Sequence, residues 1–369
     1  MRVGILVSFL GDYGQKGFYN VQEYGLACAM DHLCEDLIIY RLVKADQTYR
    51  EEQVAGCKNS VVCFLPSKGL GNNGIVDTKV LDKSLDALLY FSDTQLSVPA
   101  VAQWAKRNGV LLIPYIGVVQ SHSTSKLKRT VMDLLFGRNL AVYKKLHCAV
   151  KTPAVQKDLE KLGVNTITVT PVGLDLSLLK QDYMDTDISG LKQKYGYAPK
   201  DKVLLFIGRM TEEKQPLRMI DLFDRLHRRD SGYKLLMVGT GELRSTVDNA
   251  IADRGLSDAV QMIDRIPNKD IWELYRIADS FVNLNRQEIF GMAILEAMYY
   301  GCKVVAWEAP GPSFIIENGV SGCLADSEEG ILKAIAEDTI LPDAAHRRIL
   351  DHFTWDRTAE KLLSIADSK

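Results

Sequence analysis

The stretch SFVNLNRQEIFGMAILEAMYYG, residues 280–301, decides the fold. Residues 280–284 are short and mostly apolar, as a buried strand is, and a helix follows that starts near Phe290-Gly291. It stops before Gly301, a residue suited to the left-handed position after a helix. A strand feeding a helix is half of a βαβ unit, and the same rhythm runs through the whole chain. Strands are expected at 202–207, 234–238, 260–263, 280–284, 303–307 and 322–324 in the second half. In the first half they are expected at 2–10, 37–41, 61–65, 87–91, 110–116, 148–150 and 166–170, with helical patterns at 19–32, 77–84 and 98–108. Strands alternating with helices imply α/β architecture, with parallel sheets covered by helices on both faces.

The rhythm breaks at Pro171-Val-Gly-Leu-Asp175, and residues 176–200 are polar and acidic without a clear strand. The expected organisation is therefore a first domain over 1–171, a linker over 172–200, and a second domain over 201–343. Two further helices follow at 344–369, the last packing back on the first domain. Ligands of open α/β sheets bind beyond the carboxyl ends of the strands, so two such sheets facing each other make the cleft between them the expected active site.

With 369 residues, 47% apolar and 25% charged, the chain has room for two globular cores. No run approaches the ~18 apolar residues of a membrane span. Residues 3–10 are halted by Gly11-Asp12 and read as a first strand, not as a signal peptide. The seven cysteines are scattered, with no C-x-x-C pair, which argues against a disulfide framework or a zinc site and for a reducing cytoplasm. Between Thr94 and Lys157 ten basic residues meet one acid, Asp133. This stretch, 106–157 at its charged limits, is either a solvated face or a positive patch for an anionic lipid surface or acceptor. No nucleic-acid partner is expected.

The chemistry concentrates in the second half. A strand ends at Gly208, and Arg209 and Lys214 follow in the loop before Pro216, which suits a helix start. Two cations so placed can meet one doubly charged group such as a diphosphate, through charge-assisted bonds of about 1.5–3 kcal/mol each. A solvated loop is the competing reading. Gly291 in the first helical turn admits close approach of a ligand, and a helix N-terminus suits phosphate. Glu288 and Glu296 would lie about 12 Å apart along the axis if that segment were helical throughout. They could then hold hydroxyls at two ends of one elongated ligand. Surface glutamates near a helix start are the alternative, which fits Glu288 better than Glu296. The turn Val238-Gly239-Thr-Gly-Glu242 could bring backbone near the same ligand. Asp185-Thr-Asp187 spells D-x-D but lies in the polar linker and reads as solvated.

These pieces, in this order, resemble the retaining GT-B glycosyltransferases of the GT4 type, or glycosyl transferases group 1. They are G-R-x4-K (208–214), V-G-x-G-E (238–242), E-x7-E with an internal F-G (288–296), G-x-x-V-V-A with a Gly/Pro loop (301–311), and E-N-G-x-x-G (317–322). Pro171-Val-Gly-Leu-Asp175 resembles the family hinge, with Val172 for the usual Asn, and Phe353-Thr-Trp-Asp356 the start of its last helix. The resemblance implies a GT-B fold of two Rossmann-like domains. It implies a nucleotide-sugar donor, UDP favoured over GDP, and a glycan or lipid-linked acceptor. No cofactor and no metal is expected. Arg209 and Lys214 would bind the diphosphate, Glu296 the ribose, and Glu288 the transferred sugar. Backbone at Gly208, Gly239, Phe290, Gly291, Met292 and Ala293 would lie against phosphates or sugar, and Arg265-Ile266 near the base. In the first half, Gly14 and Gly17 would lie on a loop that approaches the donor. His122 would line the cleft as a catalytic group, although Gln120 falls closer to the family position by count. Asn20 stands where the family often has Glu.

A cytoplasmic enzyme, at most peripheral at the inner face of the plasma membrane, is the leading expectation. A nucleotide-sugar epimerase would need acid/base groups that the first half does not cluster. A non-catalytic glycan- or partner-binding subunit would have no need of Arg209, Lys214 and Glu288 together.

Overall fold

A computed structural model describes residues 1–10, 21–119, 126–337 and 342–367, with backbone alone at 126–129. The chain divides into two compact units, Met1–Gly173 with Thr354–Lys369, and Leu174–Phe353.

The first unit is built on one sheet of eight strands: β1 (Arg2–Val7), β2 (Asp36–Lys44), β3 (Arg50–Gln53), β4 (Ser60–Ser67), and, after a small separate hairpin of β5 (Gly69–Leu70) and β6 (Asn73–Gly74), β7 (Ala87–Phe91), β8 (Leu111–Ile116), β9 (Cys148–Val150) and β10 (Ile167–Val169). Their order is β10-β9-β8-β7-β1-β2-β4-β3. All neighbours are parallel except β3, which runs antiparallel to β4. Helices α1 (Gln22–Met30), α2 (Val98–Asn108), α3 (Lys126–Tyr143) and α4 (Pro153–Lys161) belong to this unit, as does the last helix of the chain. The central strands are mostly apolar because parallel sheets are covered on both faces, as Ile5 and Leu6 at 0% exposure illustrate.

The second unit carries β11 (Lys202–Ile207), β12 (Tyr233–Val238), β13 (Val260–Ile263), β14 (Ser280–Asn283), β15 (Val304–Trp307) and β16 (Cys323–Ala325). Its order, β13-β12-β11-β14-β15-β16, is parallel throughout and, counted from β11, reads 3-2-1-4-5-6, the order of a Rossmann sheet. The strand order reverses between β11 and β14, so the crevice for a ligand opens beyond their carboxyl ends. Around the sheet lie α5 (Ile188–Lys194), α6 (Pro216–Arg229), α7 (Arg244–Asp253), α8 (Ile271–Ile277), α9 (Met292–Tyr299), α10 (Pro310–Ile315), α11 (Glu328–Ala336) and α12 (Pro342–His352). The chain then returns to the first unit as α13 (Trp355–Asp367).

Several sequence expectations need correction. The helix expected at 77–84 is a single 3₁₀ turn at Thr78–Val80. Asp77 accepts from the Lys79 N–H and Asp82 from the Ser84 N–H, local bonds that compete with a helix. The stretch 176–200 has no strand, as expected, but it holds two 3₁₀ turns and α5, whose start is capped by Asp187. Of the D-x-D aspartates, Asp187 caps α5 and Asp185 ends a 3₁₀ turn, and both are exposed, in keeping with the solvated reading. The E-N-G-x-x-G segment is a closed turn leading into β16, with Gly319 N–H donating to Gly322 O at 2.9 Å, so it stands at the amino end of that strand.

Candidate functional site

Beyond β11 the backbone turns sharply at Gly208. The Gly208 N–H donates to Val238 O at 3.0 Å, and the Gly239 N–H to Ile263 O at 2.9 Å. Gly239 has φ +142°, and a Cβ there would lie 1.9 Å from the Gly208 carbonyl oxygen. The close approach that Gly239 permits is therefore between the chain's own two turns, which fixes the exit of β11 against that of β12. Arg209 leaves this turn with 72% of its side chain exposed and pairs with Glu213 at 2.6 Å. Lys214, at the end of a short 3₁₀ turn, points the other way: its Nζ lies 2.6 Å from Glu288 Oε2. Gln215 follows in the left-handed region, the one non-glycine among the described residues with positive φ, and Pro216 opens α6. The two cations of the loop are thus on different partners, and the structure joins Lys214 to Glu288 across the reversal between β11 and β14.

Glu288 lies before α9, not within it. Helix α9 begins at Met292, and Gly291 is its N-cap with φ +108°. Glu288 and Glu296 are therefore not related by a continuous helix. The Glu288 segment is held from two sides. Its carbonyl accepts the Gly311 N–H at 2.8 Å, and a Cβ on Gly311 would lie 2.2 Å from Phe290 O, so the glycine after β15 seats this loop. The Asn285 amide donates toward Glu288 Oε2 at 3.3 Å, while the Asn283 side chain accepts the Asn285 N–H and the Asn285 side chain the Gln287 N–H. Asn283 and Asn285 were not singled out in the sequence; an N-x-N at a strand's carboxyl end, just before Glu, is the signal that marks them. With no side-chain cap, the first-turn N–H groups of α9, Met292 and Ala293 among them, offer partial positive charge next to Lys214 and Glu288.

Glu296 is buried, 8% exposed, one turn and more into α9. Its Oε2 accepts from Tyr275 Oη at 2.8 Å. Burial pushes its carboxyl up to about 7, against the lowering effect of the tyrosine bond. Phe290 is half-buried and meets Phe353 edge-on at 6.4 Å. Ile266 is part of the unit's core, and Arg265 beside it is exposed, both in the turn after β13. Gly14, Gly17, Asn20, Gln120 and His122 lie outside the described residues.

The basic stretch of the first unit is not one surface. Lys106 and Arg107 end α2, and Lys144, Lys145 and Lys157 are exposed. Arg138 donates to the carbonyls of Gln95 and Leu96 at 3.1 and 2.7 Å. Lys151 turns inward, with Nζ 3.0 Å from Gln22 Oε1 and over the rings of Phe91 and Tyr115. No helix of the described residues is long and apolar enough to cross a membrane.

Residues 187–349 match the model of the family glycosyl transferases group 1. The second unit belongs to that family. D-inositol 3-phosphate glycosyltransferase of Nocardia farcinica is 29% identical over 212 residues, 53% of this chain and 46% of the relative. Mannosylfructose-phosphate synthase of Agrobacterium fabrum is 27% identical over 254 residues, 62% and 55% of the two chains. The chain thus spans about half the length of the curated relatives it matches. Among solved structures, HepE of Anabaena in complex with UDP superposes with a TM-score of 0.75 at 18% identity, over 100% of both chains. Sucrose-phosphate synthase from Thermosynechococcus elongatus gives 0.73 at 15% identity, over 100% of this chain and 99% of that one. At such identities the likeness concerns the fold, which is the expected GT-B type with a group 1 unit.

Proposed function

We propose that the protein is a glycosyltransferase that moves a hexose-type sugar from a nucleoside-diphosphate sugar to a glycan or lipid-linked acceptor, with retention, in cell-surface polysaccharide or glycoconjugate synthesis. The observation that carries this reading is the Lys214–Glu288 pair at 2.6 Å, which bridges β11 and β14 beside the uncapped start of α9. A donor diphosphate seated there receives Lys214, the α9 N–H groups and, after rotation away from Glu213, Arg209. Glu288, released from Lys214, accepts from hydroxyls of the transferred sugar, and Glu296 from those of the ribose. As the sugar–phosphate bond breaks, the charge on the departing diphosphate falls on groups already in place. The acceptor hydroxyl attacks on the face the diphosphate leaves and gives it its proton. No metal is required for this charge balance. From the first half of the chain, the loop with Gly14 and Gly17 would approach the donor, and His122 would line the cleft as a catalytic group.

UDP is the favoured nucleotide, supported by the UDP complex of HepE. An acceptor bearing an acid group is supported by the phosphate in the names of the two relatives and by the exposed cations of the 106–157 stretch. If that stretch meets anionic lipid, replacing Lys126, Lys128 and Arg129 by Gln lowers binding to acidic vesicles, most at low salt. A wild type that ignores such vesicles at low salt removes the membrane from the proposal.

The decisive test is thermal stability with UDP, GDP, ADP, CDP and TDP, each with and without EDTA. Saturation at about a hundredfold the dissociation constant stabilises by roughly 2.7 kcal/mol. One nucleotide, insensitive to EDTA, is expected to give the shift. Lys214→Ala is expected to abolish it and to lower transfer by about 10²–10³-fold, the scale of losing one preorganised charge contact. A Lys214→Ala protein with full transfer activity would sink the assignment, and no shift with any nucleotide favours a non-catalytic binding subunit.

A further inference from the structure

The first unit holds a pair of thiols outside the proposed donor site. Cys28 lies in the last turn of α1 and is half-buried; Cys57 lies in the turn between β3 and β4 and is 9% exposed. Their sulfurs are 2.8 Å apart, so about 0.8 Å of closure makes a disulfide bond. The backbone around them is already fixed in register. Asp31, which follows α1, accepts from the N–H groups of Lys58 and Asn59 at 2.8 Å each and from Ser60 Oγ at 2.6 Å. Asn59 Nδ2 returns a bond to Asp31 O at 2.9 Å. Gln53 Nε2 donates to Cys57 O at 3.0 Å and to Ser60 O at 2.9 Å, clamping the turn from its other side. Gly56, with φ +80°, has open space beside it and leaves the turn narrow on its solvent side. The remaining five cysteines are buried.

We propose that Cys28 and Cys57 are a thiol–disulfide exchange site, which a small disulfide oxidises to an internal disulfide that ties the end of α1 to the β3–β4 turn. The half-buried Cys28 is the entry point. Its thiolate attacks a disulfide RSSR, forming the mixed disulfide Cys28–S–S–R and releasing one RS⁻. The Cys57 thiolate then attacks Cys28 Sγ and releases the second RS⁻. Two cysteine thiols are oxidised, their two protons pass to the two departing thiolates, and RSSR is reduced to two RSH. Because α1 and the turn are already bonded through Asp31 and Asn59, the second step needs side-chain rotation only. The bond closes a loop of about 30 residues, which restricts the unfolded chain.

The full-length protein is incubated with oxidised glutathione, quenched with acid, and its thiols are counted in denaturant alongside the intact mass and a peptide map. Of the seven thiols, five are expected to remain, with a mass lower by about two hydrogens and one peptide pair joining Cys28 to Cys57. Dithiothreitol restores all seven. The oxidised protein is expected to melt several degrees higher than the reduced one. In Cys57→Ser the second step is blocked, so a stable adduct of one glutathione on Cys28 accumulates. Seven thiols remaining in the wild type, a linkage between other cysteines, or a persistent glutathione adduct on wild-type Cys28 would each overturn the proposal. The wild-type map stands even where the variant fails to fold.

Discussion

Burial sets the chemistry of Glu296. Its carboxyl is pushed up to about 7 in the folded chain, from an ordinary 4.5. A group with a raised folded value holds its proton longer than the unfolded chain does. Between pH ~4.5 and ~7 the native state therefore binds more protons, and stability from this group falls as pH rises through that window. The full effect is on the order of 3 kcal/mol. Glu296→Gln is expected to remove this part of the pH dependence, so that the variant loses less stability than wild type between pH 5 and pH 8. Equal pH profiles for the two proteins would refute the burial argument. The same proton reports on ligand. Ribose hydroxyls donate to a carboxylate, so seating the nucleotide favours the ionised form. With Glu296 on the ribose as proposed, UDP is expected to bind at least about tenfold more tightly at pH 8 than at pH 5.5 in wild type, with a flatter profile in Glu296→Gln. A 2′-deoxy analogue separates this from ionisation of the phosphate, since it lacks one hydroxyl but titrates alike.

At the scale of elements, the site depends on how two strands end. The turns after β11 and β12 touch through Gly208 and Gly239, and no side chain fits between them. Gly239→Ala places a Cβ against the Gly208 carbonyl at an unfavourable φ, so the turn carrying Arg209 and Lys214 must move. The expected cost is about 1–3 kcal/mol of stability together with a loss of UDP affinity, checked by denaturant unfolding and calorimetry. Wild-type affinity in a destabilised variant would mean that the turn's position matters only to folding. The elements themselves were legible to different degrees, for physical reasons. Strands such as β11 and β12 are buried on both faces and stand out as apolar runs. Strand β3, Arg-Glu-Glu-Gln, is exposed at all four residues and pairs only along one edge, so neither an apolar run nor an alternation announced it. Glu288, Glu296, Arg209 and Lys214 were legible because charge at strand ends and in an apolar helix is unusual. Their partners were not: Tyr275 reaches Glu296 from another helix, and Asn285 reads as an ordinary turn residue until its amide is seen facing Glu288. Whether Arg209 joins Lys214 on a diphosphate was likewise unreadable, because rotamers answer to partners, and Arg209 here answers to Glu213.

At the scale of the whole molecule, the chain passes between its two units twice, at Gly173–Leu174 and at Phe353–Thr354. The residues around both crossings are bonded within their own units. In the first unit, Thr358 Oγ1 donates to Pro171 O at 2.6 Å, and a Cβ on Gly173 would lie 2.2 Å from Trp355 N. Trp355 also fills the space beside Gly25 of α1, so α13 is part of the first unit's packing, not an appendage. In the second unit, Leu174 N–H donates to Phe353 O at 2.8 Å. The two motifs at 171–175 and 353–356 thus meet in space, and Gly173 is required by the contact. This separates the two parts of the proposed enzyme experimentally. Every described donor-side residue lies in the second unit, whereas Gly173 and α13 hold the first together. Gly173→Ala forces backbone apart at the α13 contact and is expected to destabilise the first unit by about 1–3 kcal/mol. In calorimetry the variant should unfold in two steps or begin to unfold earlier than wild type, while UDP still binds within a few-fold of wild-type affinity. Sugar transfer should fall more than nucleotide binding if, as proposed, the acceptor is bound by the destabilised unit. If UDP affinity and transfer fall together by the same factor, the donor site is not contained in the second unit, and the division of labour argued from Lys214, Glu288 and Glu296 is wrong.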